Sequence, residues 1–345
     1  MRLDRNDCLR LLASDDTHMM GLVASHMTRK RFGTTASFVN NIILNYTNVC
    51  ITDCKFCAFY RSPGAADSYT LTLDEIEARV GTAERMFGIR QVLIQGGHNP
   101  DLRIEYYEDA FGMIRSKFPK VGVHGLSPSE IDMIARVERC STAEVISRLA
   151  EAGLQSVPGA GAEILVDEVK DVISPRKIDS ATWLRIMEEV HKTGLPSSAT
   201  MMYGHVESNR DIAEHLIKIA RLQEKTHGFM AFIPWSFEPN NTQMQQESAD
   251  YGAGGAKLLK MIAISRLVFD DLIPHLQSSW LTNGIGMAQL ALQHGADDFG
   301  GTLIGEEVVS CTGARSTELT DSKIRAAITQ VGYQAVERDN FYQAV

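Results

Sequence analysis

The chain has 345 residues, 44% hydrophobic and 22% charged, with 34 Lys and Arg against 43 Asp and Glu for a net charge of −9. This composition excludes disorder and collagen-like repeats, and the acidic excess argues against a phosphate-backbone partner, which needs a basic face. The length buries a large core without disulfides and suits one large α/β barrel or two smaller domains.

In chain order, the opening MRLDRNDCLR carries charge where a signal peptide needs an apolar stretch. No window approaches the roughly eighteen unbroken apolar residues of a membrane span. A cytoplasmic protein with no membrane or nucleic-acid partner is expected. Residues 1–37 show a loose helical pattern (Leu9, Leu12, Met19, Leu22, Val23, Met27), which predicts a helical preface. From residue 38 onward, short apolar runs cover 38–46, 91–95, 121–125, 154–158, 197–203, 229–235, 275–280 and 297–301. Between them, 71–87 places Asp74 and Glu75 in a first helical turn, and 211–225 and 256–272 repeat apolar residues at three and four spacing.

Eight strand candidates, each followed by a helix candidate, predict a TIM-type (β/α) barrel of all eight strands, one domain over 38–345. The competing doubly wound sheet lacks a G-x-G-x-x-G after its first strand. Polar residues and glycines also gather just after the strands: Gly96, Gly97, His98, His124, Gly204, His205, Glu207, Glu238, Asp297 and Asp298. In a barrel these ends share one mouth, where catalytic groups collect.

Of six cysteines, Cys8, Cys140 and Cys311 are scattered, whereas Cys50, Cys54 and Cys57 form C-x3-C-x2-C directly after the first strand candidate. Thiolates suit zinc, copper(I) or an iron–sulfur cluster. A structural zinc needs a fourth Cys or His close by, and His26 and His98 are distant in sequence. Three thiolates hold three irons of a four-iron cluster and leave the fourth open to a ligand.

With Phe56 directly before the third cysteine, the segment resembles the radical S-adenosylmethionine (SAM) superfamily. The resemblance implies a [4Fe–4S] cluster on Cys50, Cys54 and Cys57, with SAM on the open iron. It also implies a low-potential electron donor such as flavodoxin or ferredoxin. Gln95, Gly96 and Gly97 are then expected at the methionine amino group, with Phe56 also beside the cofactor. Met202, Tyr203 and Gly204 are expected beside the adenosine, and Glu163 near the ribose or amino group.

Segments such as QGGHNPDL, PGAGAEIL and FIPWSFEPNNT, within about residues 45–312, narrow the likeness. They resemble the cyclic dehypoxanthine futalosine synthases of menaquinone biosynthesis. Aminofutalosine synthases and the deazaflavin-forming synthases of F420 biosynthesis are sister types. The likeness implies dehypoxanthine futalosine as a small-molecule substrate. A hydrogen leaves ribose C4′, the carbon radical adds to the benzoate ring, and loss of an electron and a proton restores aromaticity. Tyr60, His98, His124, His205 and Glu207 are the candidate bases. Arg61 and Arg210 are candidate partners of the substrate carboxylate, and Trp235 and Trp280 candidate stacking surfaces for its ring. Two stretches depart from the synthase pattern: Ile42 and Ile43 replace an Arg and an Asn, and Gly305-Glu306-Glu307 stands where E-E-N is expected. A non-catalytic metal-binding barrel stays open beside the enzyme readings.

Overall fold

The computed structural model describes residues 2–248, 251–314 and 318–345. Two helices come first, Arg5–Ala13 and Thr17–Phe32. Asp4 and Asp16 cap them by accepting from the backbone N–H groups of Asp7 and Met19. The second packs on the later helix Gly255–Phe269.

Nine strands follow among the described residues: β1 Thr35–Val39, β2 Asn41–Asn45, β3 Gln91–Gln95, β4 Gly122–Gly125, β5 Ser197–Tyr203, β6 Phe229–Ser236, β7 His275–Leu276, β8 Asp298–Gly301 and β9 Gln334–Glu337. Every strand pair is parallel, in three sheets ordered β8-β1-β9, β2-β3-β4 and β5-β6-β7. Single parallel bridges join the sheet edges: His124 to Ser156, Val157 to Ser197, Gln277 to Asp298 and Ile42 to Ile304. From β2 onward helices separate successive strands, as parallel pairing requires. Among the described residues, no helix is long and apolar enough to cross a membrane.

Several elements differ from expectation for identifiable reasons. The first run starts at Thr35, inside the segment expected as preface, because Ala36 and Phe38 point into the core. It breaks at Asn40, where the neighbour changes: β1 lies against β9, while β2 lies against β3. The run at 154–158 makes bridges only. Leu154 N–H is committed to the carbonyl of Leu149 in the preceding helix, and Pro158 has no N–H to continue a ladder. The run at 275–280 shortens to His275–Leu276, since Ser279 turns through φ 54° and Trp280 begins a short helix.

The helix predicted at 71–87 forms as Leu73–Phe87, where Thr72 and Glu75 make a reciprocal capping box and Gly88 ends it in the left-handed region at φ 62°. Its Ile76, Val80 and Ala83 are buried against the sheet. Such faces make one continuous apolar layer between helices and strands. The C-terminal ends of the strands are left to carry the polar loops.

Candidate active site

The loop after β2 is built by backbone pairing. Cys50 N–H donates to Arg61 O at 2.9 Å, Arg61 N–H to Asn48 O at 2.7 Å, and Cys57 N–H to Cys54 O at 3.0 Å. Asn48 clamps the far side, its amide donating to Asp67 O at 3.0 Å while its carbonyl accepts from Tyr69 N–H at 2.8 Å. The three thiols are free; Cys54 is buried, Cys50 and Cys57 half-buried. Burial pushes the Cys54 thiol up to about 12 and raises that of Cys57. A bound metal is therefore what would hold them as thiolates.

The turn after β3 seats on this loop. A Cβ on Gly97 would lie 2.1 Å from Val49 O, and one on Gly96 2.8 Å from the Tyr46 ring, so only glycine allows the approach. Gly97 N–H donates to Thr47 O at 2.9 Å. Gly96 N–H donates to Glu130 Oε1 at 2.9 Å. The buried Glu130 also accepts from Tyr46 Oη at 2.9 Å and Ser127 N–H at 2.7 Å, tying the cysteine loop, the glycine turn and the helix Pro128–Glu138 together. His98 pairs with Thr52 Oγ1 through Nδ1, and burial with the nearby Lys177 lowers its imidazole to about 3.

Glu163 follows Pro158-Gly159-Ala160-Gly161-Ala162 and adopts a left-handed φ of 43°. Its carboxylate accepts from Lys177 Nζ at 2.9 Å and Lys170 Nζ at 3.3 Å. Burial alone would raise this carboxyl, but the two ammonium groups overrule it and hold it at about 2. Lys177 Nζ also stands 5.4 Å from the centre of the Phe56 ring, a cation–π contact.

These parts face one cavity of about 370 Å³, within the range of ligand sites. The three cysteines, Phe56, Tyr60, Gln95, Gly96, Gly97, His98 and Glu163 all line it, as do His124, Trp235 and Trp280. Lys177 is the one Lys or Arg among the described lining residues. No three His, Cys, Asp or Glu side chains among the described residues are placed around a single ion. A cluster makes a different demand, taking one thiolate per iron from separate points of the wall.

The structure does not bring Met202, Tyr203, Gly204, His205 or Glu207 to this cavity. Met202 and Tyr203 are wholly buried in β5. The Glu207 carboxylate accepts from the N–H groups of Gly204 and His205, both at 2.8 Å, and from Lys257 Nζ at 2.7 Å. His205 Nε2 lies 3.0 Å from Met202 O. The pair closes its own turn. Arg61 wraps the carbonyls of Ala58, Phe59 and Tyr60 and pairs with Asp67. Arg210 is exposed on the helix Asn209–Thr226. Tyr60 reaches the cavity, but its bond to Asp53 raises its hydroxyl to about 12. Trp280 donates Nε1–H to Gly301 O at 3.0 Å and serves the wall. Sequence reasoning assigned no role to Glu130, Lys170 or Lys177. The signal for Glu130 was the Ser-x-x-Glu box of LSPSEI; the lysines carried none.

Residues 44–219 match the Radical SAM superfamily, and residues 226–345 the CofH/MqnC C-terminal region. The chain is 40% identical over 318 residues to the cyclic dehypoxanthine futalosine synthase of Streptomyces coelicolor, covering 91% of this chain and 78% of that protein. It is 37% identical over 345 residues to the 5-amino-6-(D-ribitylamino)uracil–L-tyrosine 4-hydroxyphenyl transferase of Methanoculleus marisnigri, covering 99% and 94%. Among solved structures, methylornithine synthase (PylB) shares the fold with a TM-score of 0.73 at 17% identity, covering 97% of this chain and 94% of that one. The superfamily match spans the cysteine loop, the glycine turn and Glu163 alike, and a relative 40% identical runs through them over 91% of the chain. The chain therefore belongs to the radical SAM superfamily, as an enzyme whose cofactors are a [4Fe–4S] cluster and SAM.

Proposed function

We propose that the chain converts dehypoxanthine futalosine to cyclic dehypoxanthine futalosine in the futalosine route to menaquinone. The observation that carries the reading is one cavity in which the three thiols and the glycine turn face an apolar wall that includes Ile233, Trp235 and Val308. The 40% identity to the Streptomyces synthase supports the substrate.

In this reading Cys50, Cys54 and Cys57 hold the cluster, and Lys177, steered by Glu163, neutralises the carboxylate of the methionine moiety. Once bound, the cluster and SAM would supply the radical chemistry that takes a hydrogen from an unactivated carbon. The chain's own work is positioning. Gly96 and Gly97 let the backbone approach, Trp235 offers a flat face to the benzoate, and the apolar wall keeps water from a reactive centre. The electron that the ring radical gives up would return to the cluster, and the proton then shed as the ring regains aromaticity is strongly acidic, so a neutral imidazole suffices to accept it. His98 fits that task; Tyr60, kept protonated by Asp53, does not. We read the bridged sheets as one ring of eight strands, the chain from β1 onward as a single domain behind a helical preface, and the electron donor as a low-potential flavodoxin or ferredoxin in the cytoplasm.

A second reading is favoured by the 37% identity to the Methanoculleus transferase, and by the departure at Ile43, on the cavity wall. It assigns a tyrosine-derived substrate to the same centre. The test is an anaerobic assay with SAM, dithionite and each substrate in turn. Deoxyadenosine with a product two hydrogens lighter than dehypoxanthine futalosine is expected. Product only with 5-amino-6-(D-ribitylamino)uracil and tyrosine would replace the cyclase reading by the second.

A further inference from the structure

A one-way chain of hydrogen bonds crosses the interior below the cavity. It starts where Leu303 N–H donates to Asn41 Oδ1 at 2.9 Å. A backbone N–H only donates, so the Asn41 amide oxygen is fixed as acceptor and its nitrogen as donor. That nitrogen donates to Gln91 Oε1 at 3.2 Å, which leaves Gln91 Nε2 to donate to Asn340 Oδ1 at 2.9 Å. Asn340 Nδ2 then donates to Ser156 Oγ at 2.9 Å. The single Ser156 proton has two acceptors in reach, His124 Nδ1 at 2.7 Å and Asn340 Oδ1 at 3.2 Å. Ser156 Oγ already accepts from the nitrogen of that same Asn340 amide, so it cannot also donate in line to the amide's oxygen, and the proton goes to the nearer His124. All five side chains are buried, so solvent does not scramble the direction.

With Nδ1 accepting, the one proton of a neutral His124 ring sits on Nε2. Burial, aided by the Arg338 guanidinium, lowers this imidazole to about 3, so it stays neutral near pH 7. His124 lines the cavity, and Ser156 is the one described residue within hydrogen-bonding reach of its ring. We propose that His124 is an Nε2-protonated hydrogen-bond donor to an acceptor oxygen of the bound substrate, and that Asn340 is the positioning residue that sets its tautomer. This removes His124 from the candidate bases. The substrate contact rests on the cyclase reading; the tautomer does not.

Two measurements separate these claims. A Gln amide nitrogen falls near the position of Nε2 and donates, but it cannot take up a proton. His124→Gln should keep cyclic product within about tenfold of the parent, whereas His124→Leu should lose about a hundredfold, with deoxyadenosine still formed by both. Equal loss in the two variants would make His124 a base and overturn the donor role. The second measurement is 15N NMR of the cluster-loaded chain carrying labelled histidine, the signal assigned by its loss in His124→Gln. The Nε2–H pattern is expected, turning to Nδ1–H in Asn340→Asp, whose carboxylate draws the Ser156 proton away. An Nδ1–H pattern in the parent, or no change in folded Asn340→Asp, refutes the tautomer claim. If the parent forms no product from dehypoxanthine futalosine, the cyclase reading falls, while the NMR result stands separately.

Discussion

Lys177→Met removes one of the two ammonium groups on Glu163 while keeping the volume of the side-chain stem. In the folded chain the Glu163 carboxyl is held at about 2 against an ordinary 4.5, a difference worth about 3 kcal/mol. Lys177 is the nearer partner, at 2.9 Å against 3.3 Å for Lys170. Its removal should therefore forfeit more than half of this, about 2 kcal/mol at pH 7. Because the folded value lies below the unfolded one, the contribution is complete above pH 4.5 and drains away as pH falls toward 2. Parent and variant should accordingly differ by a constant amount from pH 7 to 4.5 and converge on further acidification. Anaerobic urea unfolding at several pH values reads this directly. Equal midpoints at pH 7, or a gap that widens with acid, would refute the reasoning. If Lys177 also meets the methionine carboxylate, the same variant should raise KM for SAM more than it lowers kcat.

Three further substitutions test the site. Glu130→Gln turns an amide N–H toward donors that the carboxylate now accepts, and should cost about 1–3 kcal/mol in thermal unfolding. Gly97→Ala drives a Cβ to 2.1 Å from Val49 O, so the cysteine loop must move; iron per chain after reconstitution should fall well below the parent. Glu207→Gln should lower stability yet leave product formation within about threefold of the parent, whereas a catalytic acid or base would show about a hundredfold loss.

What could be read from the sequence was whatever a short stretch of chain decides by itself. The C-x3-C-x2-C spacing and the acidic first turn at Asp74 and Glu75 are local, and both appear where expected. Gln95-Gly96-Gly97 could be tied to a ligand only through resemblance, since the close approach that excludes a side chain there comes from Tyr46 and Val49, in the loop after β2. Lys177 was illegible because its meeting with Glu163 depends on one left-handed residue and an intervening helix, Asp167–Ile173. His205 and Glu207 misled because a polar residue after a strand can serve the cavity or its own turn, and here the turn's own N–H groups claim the carboxylate. β9 went unseen because its residues are only half-buried and carry little apolar pattern.

The pairing of β1 has a consequence for how the chain matures. Thr35–Val39 takes its neighbours from Asp298–Gly301 on one side and Gln334–Glu337 on the other. A ribosome therefore exposes both edges of this strand long before either cover exists, and contacts so remote in sequence close slowly. The half-made chain carries a bare, sticky edge. Sequestration by a chaperone until residue 337 emerges would shield it, and nascent chains stopped before β8 should aggregate in proportion to how long they wait.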